Sequence, residues 1–476
     1  MRSINTIGLT VVAAAIVGLY GCGKEEPKQA AAPKTETAAA TPAPAAAPPA
    51  DETITVKIGS AGPLTGEIAH LGKDNDNGVR LAIDQANDKK IKLGGKTVKF
   101  DVQSEDDQAD PKLGPTIAQK LADAKAAGVV GHLNSGVTIP ASSVYNQAGI
   151  PMISGSATNP KLTEQGFKTI FRTVGRDDQQ GPAIAAYMAN ELKLKKVAIA
   201  DDATAYGEGL ANEVEKTLKA AGVQVLTREK TNDKATDFKA ILTKMKGRNP
   251  DAIFYGGMDA TGGPMLKQAR ELGIKSTFAF GDGACTAEMA KLAGDKAAEG
   301  LICSQAGIPT QMASKSFQDA FTKKYGEVKQ YAPFFYDGAN ILIAAMQKAD
   351  SADPAKYLPE LQKISYDGAT GKIAFDEKGD RKDAEMTIFQ MKAGKVEPIA
   401  IIKAGKTTMV AATTAGSAPP AQAPAAGAMA PAAAPAAAPG GAMAPAAAST
   451  MAPTAATPAA GGAMAPAAKA ADAPKK

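Results

Sequence analysis

The stretch from Val197 to Leu226, VAIADDATAYGEGLANEVEKTLKAAGVQVL, decides the fold class. Val197–Ala200 is short, apolar and partly β-branched, which predicts a buried strand, and Asp201–Gly209 predicts a polar loop. One apolar face of a helix follows, marked at helical spacing by Leu210, Val214 and Leu218. Gly222 ends this helix, and Val223–Leu226 begins another strand. Strand, loop, helix and strand in this order indicate an α/β protein with a parallel sheet.

The same alternation occurs near the start of the core. Ile54–Ile58 predicts a strand, a Gly-rich loop follows it, and Val79, Ile83 and Ala86 mark a helix face. Six loops that follow predicted strands are rich in Gly, Ser and Thr, and they divide into three before residue 173 and three after it: 60–66, 131–136, 154–158, 202–207, 256–259 and 280–283. Ligands bind at the carboxyl ends of strands in open parallel sheets, so two sheets that face a cleft fit this division. Tight turns between strands and helices use the same residues and remain the alternative.

Both ends of the chain differ from this core. Arg2 precedes the mostly apolar run Ile7–Tyr20, which is too short to span a membrane and predicts a signal peptide over 1–22. Leu19-Tyr20-Gly21-Cys22 resembles a bacterial lipoprotein signal with Cys22 as the lipidated residue, and an ordinary secretory signal is the alternative. Residues 23–50 and 407–476 are rich in Ala and Pro and poor in large apolar side chains, which predicts a disordered tether and a disordered tail.

Composition and motif searches exclude several classes of function. The formal net charge of +5 over 476 residues and the absence of Trp argue against nucleic-acid binding. Three Cys and two His in unsuitable spacing leave no predicted metal site. No phosphate-binding loop, dinucleotide-binding glycine motif or nucleophile elbow is present. His132 is predicted to cap a strand end without a carboxylate nearby, and the acidic run Glu105–Asp110 is predicted to be a solvated loop. We therefore predict a protein that is not an enzyme and binds no cofactor.

Seven segments taken together resemble the periplasmic leucine/isoleucine/valine-binding protein family. They are Ile58–Gly66, Gly131–Ser135, Arg172–Pro182, Tyr206–Ala211, Tyr255–Gly257, Gln268–Arg270 and Asp376–Asp380. The resemblance covers about residues 51–403 and implies a type I periplasmic binding fold. Such a fold has two Rossmann-like lobes with parallel sheets and three hinge crossings. It implies lobe I at about 51–172 and 308–382, and lobe II at about 173–307 and 383–406, within a binding domain over 51–406.

The resemblance also implies a ligand site between the lobes. It places Ser135 and Thr158 at the ligand carboxylate, with Leu133 and Ser156 beside them, and Asp282 at the ligand ammonium with Gly283 next to it. Tyr206 matches the tyrosine of the second lobe, while Leu71, Met258 and Tyr331 fall on positions that surround the ligand side chain. Charges at both ends of a zwitterion need partners when the cleft closes, which agrees with this assignment.

The remaining cysteines are Cys285 and Cys303, eighteen residues apart in a domain predicted to be exported. Thiols tend to pair in such compartments, so a disulfide is expected, and two buried free thiols remain the alternative.

These features predict a monomeric, periplasmic solute-binding component of an ABC importer. It would be tethered by lipid to one of the two membranes, bind an aliphatic, branched-chain amino acid by closure of its lobes, and deliver it to membrane permease subunits. One alternative is the same fold with another small amine, amide or carboxylate as ligand. A second alternative is a ligand sensor.

Overall fold

The computed structural model describes residues 52–403 and 405–410. The predicted signal peptide with Cys22, the predicted tether and residues 411–476 of the predicted tail lie outside the described residues. Within the described part, no helix combines the length and the apolar character that crossing a membrane requires.

The first half of the chain forms a six-stranded sheet with the strand order β2-β3-β1-β4-β5-β6. Its strands are β1 Thr53–Gly62, β2 Lys92–Leu93, β3 Lys96–Asp106, β4 Gly128–Gly131, β5 Met152–Ser154 and β6 Ile170–Arg172. All neighbours are parallel except the short β2, which pairs antiparallel with β3. β4 and β5 are buried along their whole length, as expected for a sheet with helices on both faces.

The second sheet contains eight strands in the order β16-β15-β14-β11-β10-β9-β7-β8. Five parallel strands come first: β7 Lys196–Asp201, β8 Gln224–Lys230, β9 Ala252–Gly256, β10 Thr277–Phe280 and β11 Ile302–Gln305. A separate hairpin, β12 Ser365–Gly368 and β13 Gly371–Ala374, belongs to neither sheet. The last three strands are β14 Met386–Lys392, β15 Lys395–Lys403 and β16 Lys406–Met409, and they join the second sheet antiparallel.

Thirteen α-helices of the described residues lie around these sheets. They are α1 Ala69–Asp88, α2 Leu113–Asp123, α3 Ser135–Gln147, α4 Lys161–Glu164, α5 Asp177–Asn190, α6 Ala205–Ala220, α7 Lys239–Lys246, α8 Asp259–Glu271, α9 Glu288–Ala293, α10 Asp295–Ala298, α11 Lys315–Tyr325, α12 Ala332–Lys348 and α13 Pro354–Gln362. Two short 3₁₀ helices occupy Asp282–Ala284 and Thr310–Met312.

The chain passes between the two sheets three times. Helix α5 packs against α6, β11 and β14 of the second sheet, although it directly follows β6 of the first. Helix α12 packs against α1, β4 and β5, so the chain returns to the first sheet after β11 and leaves it again before β14. The first two crossings touch, since Gly175 N donates to Ala306 O at 2.8 Å. The prediction of two α/β lobes with three crossings is therefore confirmed.

Two boundaries differ from those predicted. Helix α6 begins at Ala205, inside the predicted polar loop, because the Thr204 hydroxyl caps it by accepting from Gly207 N at 2.9 Å. The disordered tail predicted from residue 407 does not include Thr407–Met409, because these residues belong to β16 and pair with β15. β-Branched Thr407 and Thr408 suit this edge strand.

Candidate functional site

Nine residues line a small space, with a cavity volume of about 10 Å³, where the carboxyl ends of the two sheets face each other: Leu133, Asn134, Ser135, Ser156, Tyr206, Met258, Asp282, Gly283 and Tyr331. Two surface grooves are larger, about 620 and 510 Å³, and lie elsewhere, around Asp376 and around Lys372. We take the smaller space as the candidate site because it lies at the strand ends, where open sheets bind ligands. A cavity of about 10 Å³ has room for no more than about one water molecule, so a ligand can bind here only if the two lobes move apart around it.

The first lobe contributes the beginning of α3 to this space. Strand β4 is followed by a short loop, and Asn134 is the N-cap residue but makes no side-chain capping bond. The N–H groups of Val137 and Thr138 donate to Asn134 O. The N–H groups of Ser135 and Gly136 precede them in the first turn, where a helix has no acceptor of its own. This turn therefore offers backbone donors, together with the positive end of the helix dipole, to an anion.

The loop after β5 lies beside α3 and is fixed from below. The Ser154 hydroxyl accepts from Ala157 N at 3.0 Å, and the Ser156 hydroxyl donates to Leu133 O at 3.0 Å. The fully buried guanidinium of Arg172 donates to Ala157 O at 2.7 Å, and its Nε lies 2.7 Å from Asp380 Oδ1. Strand-end residues of β6 thus hold the loop that carries Ser156 and Thr158.

Asp282 is the centre of the hydrogen bonds in the candidate site. Its carboxylate accepts from Tyr206 OH at 2.7 Å, from Tyr331 OH at 2.8 Å and from Gln180 Nε2 at 3.0 Å. Burial raises the pKa of Asp282, and these three donors oppose the rise. Burial next to this carboxylate also raises the pKa of Tyr206 well above its usual range, so the phenol stays a donor. In the described part of the chain, Asp282 forms no ion pair with a Lys, Arg or His side chain.

Close packing around Asp282 requires glycine at the next position. A Cβ atom on Gly283 would lie 2.7 Å from Met258 Sδ and 2.9 Å from the Tyr206 ring. Gly283 N also donates to Tyr206 OH at 2.8 Å, which orients that phenol toward Asp282. The contact between Gly283 and Tyr206 therefore helps to fix the acidic side of the site.

The two lobes touch across the space, so the structure represents a closed form. Tyr331 and Gln330 at the start of α12 belong to the first lobe, and Gln330 Nε2 donates to Asp282 O of the second lobe at 2.6 Å. Asn159 of the first lobe donates from Nδ2 to Ala205 O of the second lobe at 2.6 Å.

The sequence analysis missed Asp177, a second buried acid near the site. It is the first residue of α5 and is fully buried, and its carboxyl group lies close to the Thr158 hydroxyl, which partly stabilises the ionised form, without a hydrogen bond of ordinary geometry. Burial and the charge of Asp282 raise its pKa well above its ordinary value of 3.8. Asp177 lies within the segment that carries the family resemblance, but nothing in the sequence pattern shows that this residue is brought close to Asp282.

Eight of the ten predicted ligand-site residues line the space, and two do not. Leu71 is fully buried in the same hydrophobic cluster as the lining residues Leu133, Tyr206, Met258 and Tyr331, but it does not itself line the space. The Thr158 side chain is also fully buried, and Asp177 N donates to its carbonyl oxygen at 2.9 Å. Leu71 therefore packs behind the lining of this space. Thr158 lies in the turn before α5 and does not reach the lining either.

Cys285 and Cys303 form a disulfide bond in the structure, with the sulfur atoms 2.03 Å apart. Cys285 directly follows the 3₁₀ helix that contains Asp282, and Cys303 lies on β11. The bond therefore ties the Asp282 segment to the neighbouring strand.

Two predictions outside the site are wrong. His132 does have a carboxylate partner, since its Nδ1 lies 2.6 Å from Asp107 Oδ2 and its Nε2 lies 3.1 Å from Tyr145 OH. Asp107 is fully buried and is not part of a solvated loop. The parallel pairing of β1 with β3 and β4 brings these distant segments together. Among the described residues, no group of His, Cys, Asp and Glu side chains is arranged to hold a metal ion.

Comparison with known proteins agrees with the geometry. Residues 55–395 match the family model described as periplasmic binding protein. The chain is 34% identical over 339 residues to a leucine-, isoleucine-, valine-, threonine- and alanine-binding protein of Pseudomonas aeruginosa, covering 71% of this chain and 90% of the relative. It is 35% identical over 366 residues to a Leu/Ile/Val-binding protein of Rhizobium johnstonii, covering 76% of this chain and 98% of the relative.

A solved structure is also similar. The branched-chain amino acid transporter substrate-binding protein of Streptococcus pneumoniae, in complex with isoleucine, superposes with a TM-score of 0.67 at 29% identity. The match covers 74% of this chain and all of that one (100%). From its two-lobed fold, the residues at its cleft and these relatives, we conclude that this chain belongs to the leucine/isoleucine/valine-binding family of periplasmic binding proteins.

Proposed function

We propose that this protein is the solute-binding component of an ABC importer and binds an aliphatic amino acid in the space between its lobes. Membership of the family implies a periplasmic location. In the proposal the protein acts as a monomer, is tethered to the membrane through lipidated Cys22, and delivers its ligand to the permease subunits of the importer.

The observation that carries the proposal is that two buried carboxyl groups of the second-lobe wall form no ion pair with a cationic side chain of the described residues. Asp282 and Asp177 are both buried and both have raised pKa values, and burial is the largest cause in each case. A carboxylate in such surroundings gains from a cation that replaces the lost water. The ammonium group of an amino acid supplies that charge together with three N–H donors.

The first-lobe wall suits the other end of the same molecule. The N–H groups of Ser135 and Gly136 and the Ser135 hydroxyl lie at the start of α3, and helix starts favour carboxylates. Leu133 and Met258 supply apolar surface between the two polar ends. A zwitterion with an aliphatic side chain therefore matches the arrangement of charge and polarity in this space.

The proposal assigns ligand contacts to Ser135, Ser156, Tyr206, Asp282, Met258, Leu133, Gly283 and Tyr331, which line the space, and a supporting negative charge to Asp177 behind them. We retain Thr158 and Leu71 as the layer behind the wall. The proposed lobes comprise residues 51–172 with 308–382, and 173–307 with 383–406.

A thermal-shift screen with all amino acids tests the proposal, because a ligand that binds only the folded state raises the melting temperature. Leucine is then compared by calorimetry with 4-methylpentanoate, which has the same carbon skeleton without the ammonium group. We expect aliphatic amino acids to stabilise the protein and 4-methylpentanoate to bind at least a hundredfold more weakly, which corresponds to about 2.7 kcal/mol. Equal or tighter binding of the carboxylate would overturn the amino-acid assignment in favour of a simple carboxylate ligand.

A further inference from the structure

A histidine–carboxylate contact joins the two lobes next to the candidate site. His70, near the start of α1 in the first lobe, places Nε2 at 2.9 Å from Oδ2 of Asp259, the first residue of α8 in the second lobe. Asp259 is fully buried, whereas the His70 side chain is 22% exposed. Asp259 directly follows Met258, which lines the space. The pair therefore lies beside the site and forms only when the lobes are together.

The surroundings of Asp259 in the second lobe leave its carboxylate able to accept a further hydrogen bond from a cationic partner. The Thr286 hydroxyl donates to Asp259 Oδ2 at 2.6 Å, while Asp259 Oδ1 is buried without a hydrogen-bond partner among the described residues. The position at the start of α8 favours the ionised carboxylate. When the lobes separate, Asp259 loses His70 and keeps only Thr286.

We propose that His70 and Asp259 form an inter-lobe latch that favours the closed cleft and makes ligand affinity increase when His70 is protonated. The part of this inference that concerns affinity rests on the proposed function. In it His70 is a positioning residue, because it acts through the closed arrangement of the lobes and does not contact the ligand.

The groups that face His70 mainly raise its pKa. Burial alone lowers the pKa of His70, but the hydrogen bond and charge of Asp259, the charge of Glu288 on α9 and the carbonyl of Glu67 outweigh it. The pKa of His70 is therefore raised above its ordinary value of 6.5 in the closed form. Lys291 pairs with Glu288 and reduces that contribution, and the phenol of Tyr331 faces Asp259 from the first lobe.

The sign of the pH effect follows from this shift. The closed form holds the proton of His70 more tightly than an open form in which the imidazole lies free of Asp259. The contribution of the latch is complete at pH values below about 6.5, the ordinary histidine value, and is lost as the pH rises through the raised pKa. The other histidine, His132, pairs with Asp107 inside the first lobe and does not cross the cleft.

Calorimetry of leucine binding between pH 5.5 and 8.5 tests the affinity. We expect the dissociation constant of the full chain to rise about three- to tenfold across this range, where tenfold corresponds to about 1.4 kcal/mol. His70→Gln keeps an amide donor for Asp259 but does not titrate, so its dissociation constant is expected to stay within twofold across the range. Asp259→Asn is expected to remove the same pH dependence. Titration of Asp177 and Asp282 is common to all variants and cancels in the comparison.

Lys219→Gln is the matched control, because it removes an exposed ion pair with Glu215 within α6. The control is expected to keep the pH profile of the unchanged protein. A His70→Gln profile that is parallel to that of the unchanged protein would overturn the latch.

Closure is measured separately without ligand, so that a failure of the latch is distinguishable from a failure of the proposed function. Nitroxide labels at Lys89→Cys on the first lobe and Lys216→Cys on the second, in a chain with Cys22→Ser, report the distance between the lobes by electron–electron resonance. We expect the shorter distance to be more populated at pH 6 than at pH 8.5, and this difference to vanish with His70→Gln. Identical distances at both pH values refute the latch even if leucine binds. A pH-dependent distance in a protein that binds no amino acid supports the latch and contradicts the proposed function.

Discussion

The two walls of the cleft present opposite polarity. The first-lobe wall offers neutral donors, namely the N–H groups that begin α3 and the hydroxyl of Ser135. The second-lobe wall offers carboxylates, with Asp282 lining the space, Asp177 buried behind it and Asp259 at its margin. Helix N–H donors bind a carboxylate without a formal cation, whereas buried carboxylates carry a desolvation cost until a cation arrives. In the proposed function, this difference would orient a zwitterion with its ammonium group toward the second lobe.

Asp282→Asn is expected to have the largest effect on this difference between the two walls. The substitution keeps the size of the side chain but leaves a ligand ammonium buried without its carboxylate, and removing one partner of a buried pair costs about 3–5 kcal/mol. We expect calorimetry to show this loss of leucine affinity. Glu271→Gln, at an exposed position of the second lobe, is the matched control and is expected to bind normally. Tight binding by Asp282→Asn would contradict the orientation of the ligand.

The second-lobe wall is also held by a disulfide bond, and the described residues of the first-lobe wall have none. Replacing both Cys285 and Cys303 by Ser removes the bridge across 18 residues. In the chain-entropy account a loop of this size contributes about 3 kcal/mol to the free energy of unfolding. We expect urea denaturation to show a loss of about 2–4 kcal/mol. An unchanged midpoint would mean that the bridge does not restrain the unfolded chain. Preserved leucine affinity in the folded variant would show that packing alone positions Asp282.

Asp177→Asn separates two effects of the carboxylates in the second-lobe wall: a lower stability of the ligand-free protein and a higher affinity for the ligand. Because burial and the charge of Asp282 raise the pKa of Asp177, its ionised form destabilises the ligand-free fold as the pH rises from 3.8 through the raised value. We expect the variant to be more stable than the unchanged protein at pH 7 by about 1–3 kcal/mol, the usual cost of a buried unsatisfied group. The advantage is expected to disappear at pH 3, where the carboxyl group is protonated in both states.

The same variant is expected to bind leucine more weakly at pH 7. Asp178→Asn is the neighbouring control, since Asp178 is exposed and pairs with Arg176, and exposed pairs contribute about 1 kcal/mol or less. Urea denaturation and calorimetry at both pH values measure the two effects. A less stable Asp177→Asn protein at pH 7 would show that the carboxylate has a partner in solution.

Ser135→Ala tests the neutral wall and is expected to have the smallest effect. The Ser135 hydroxyl also accepts from Asn159 N at 3.2 Å, but the backbone donors at the start of α3 remain in the variant. We expect leucine affinity to fall by about 1–2 kcal/mol. Ser143→Ala, farther along the same helix, is the control. A larger loss for Ser135→Ala than for Asp282→Asn would reverse the proposed ranking of the two walls.

Much of the fold was predictable because its signals are local. The apolar runs of β4, β7 and β9 and the helical spacing of Leu210, Val214 and Leu218 predict buried parallel strands and their connecting helices. The resemblance to the family over the core identified eight residues that line the space. The antiparallel pairing of β14 with β11 was not predictable in this way, because it depends on where the third crossing returns.

The amino-acid sequence by itself determined the α/β class, the exclusion of the searched catalytic motifs, and the positions of Ser135, Tyr206 and Asp282 at loops after strands. Only the tertiary structure decided which distant groups meet: His70 with Asp259, His132 with Asp107, and Asp177 with the surroundings of Asp282. Periodicity and loop chemistry report on neighbours along the chain. Burial and charge at the cleft depend instead on how closely the two lobes approach, since taking a carboxylate out of water changes its free energy far more than the identity of its sequence neighbours does.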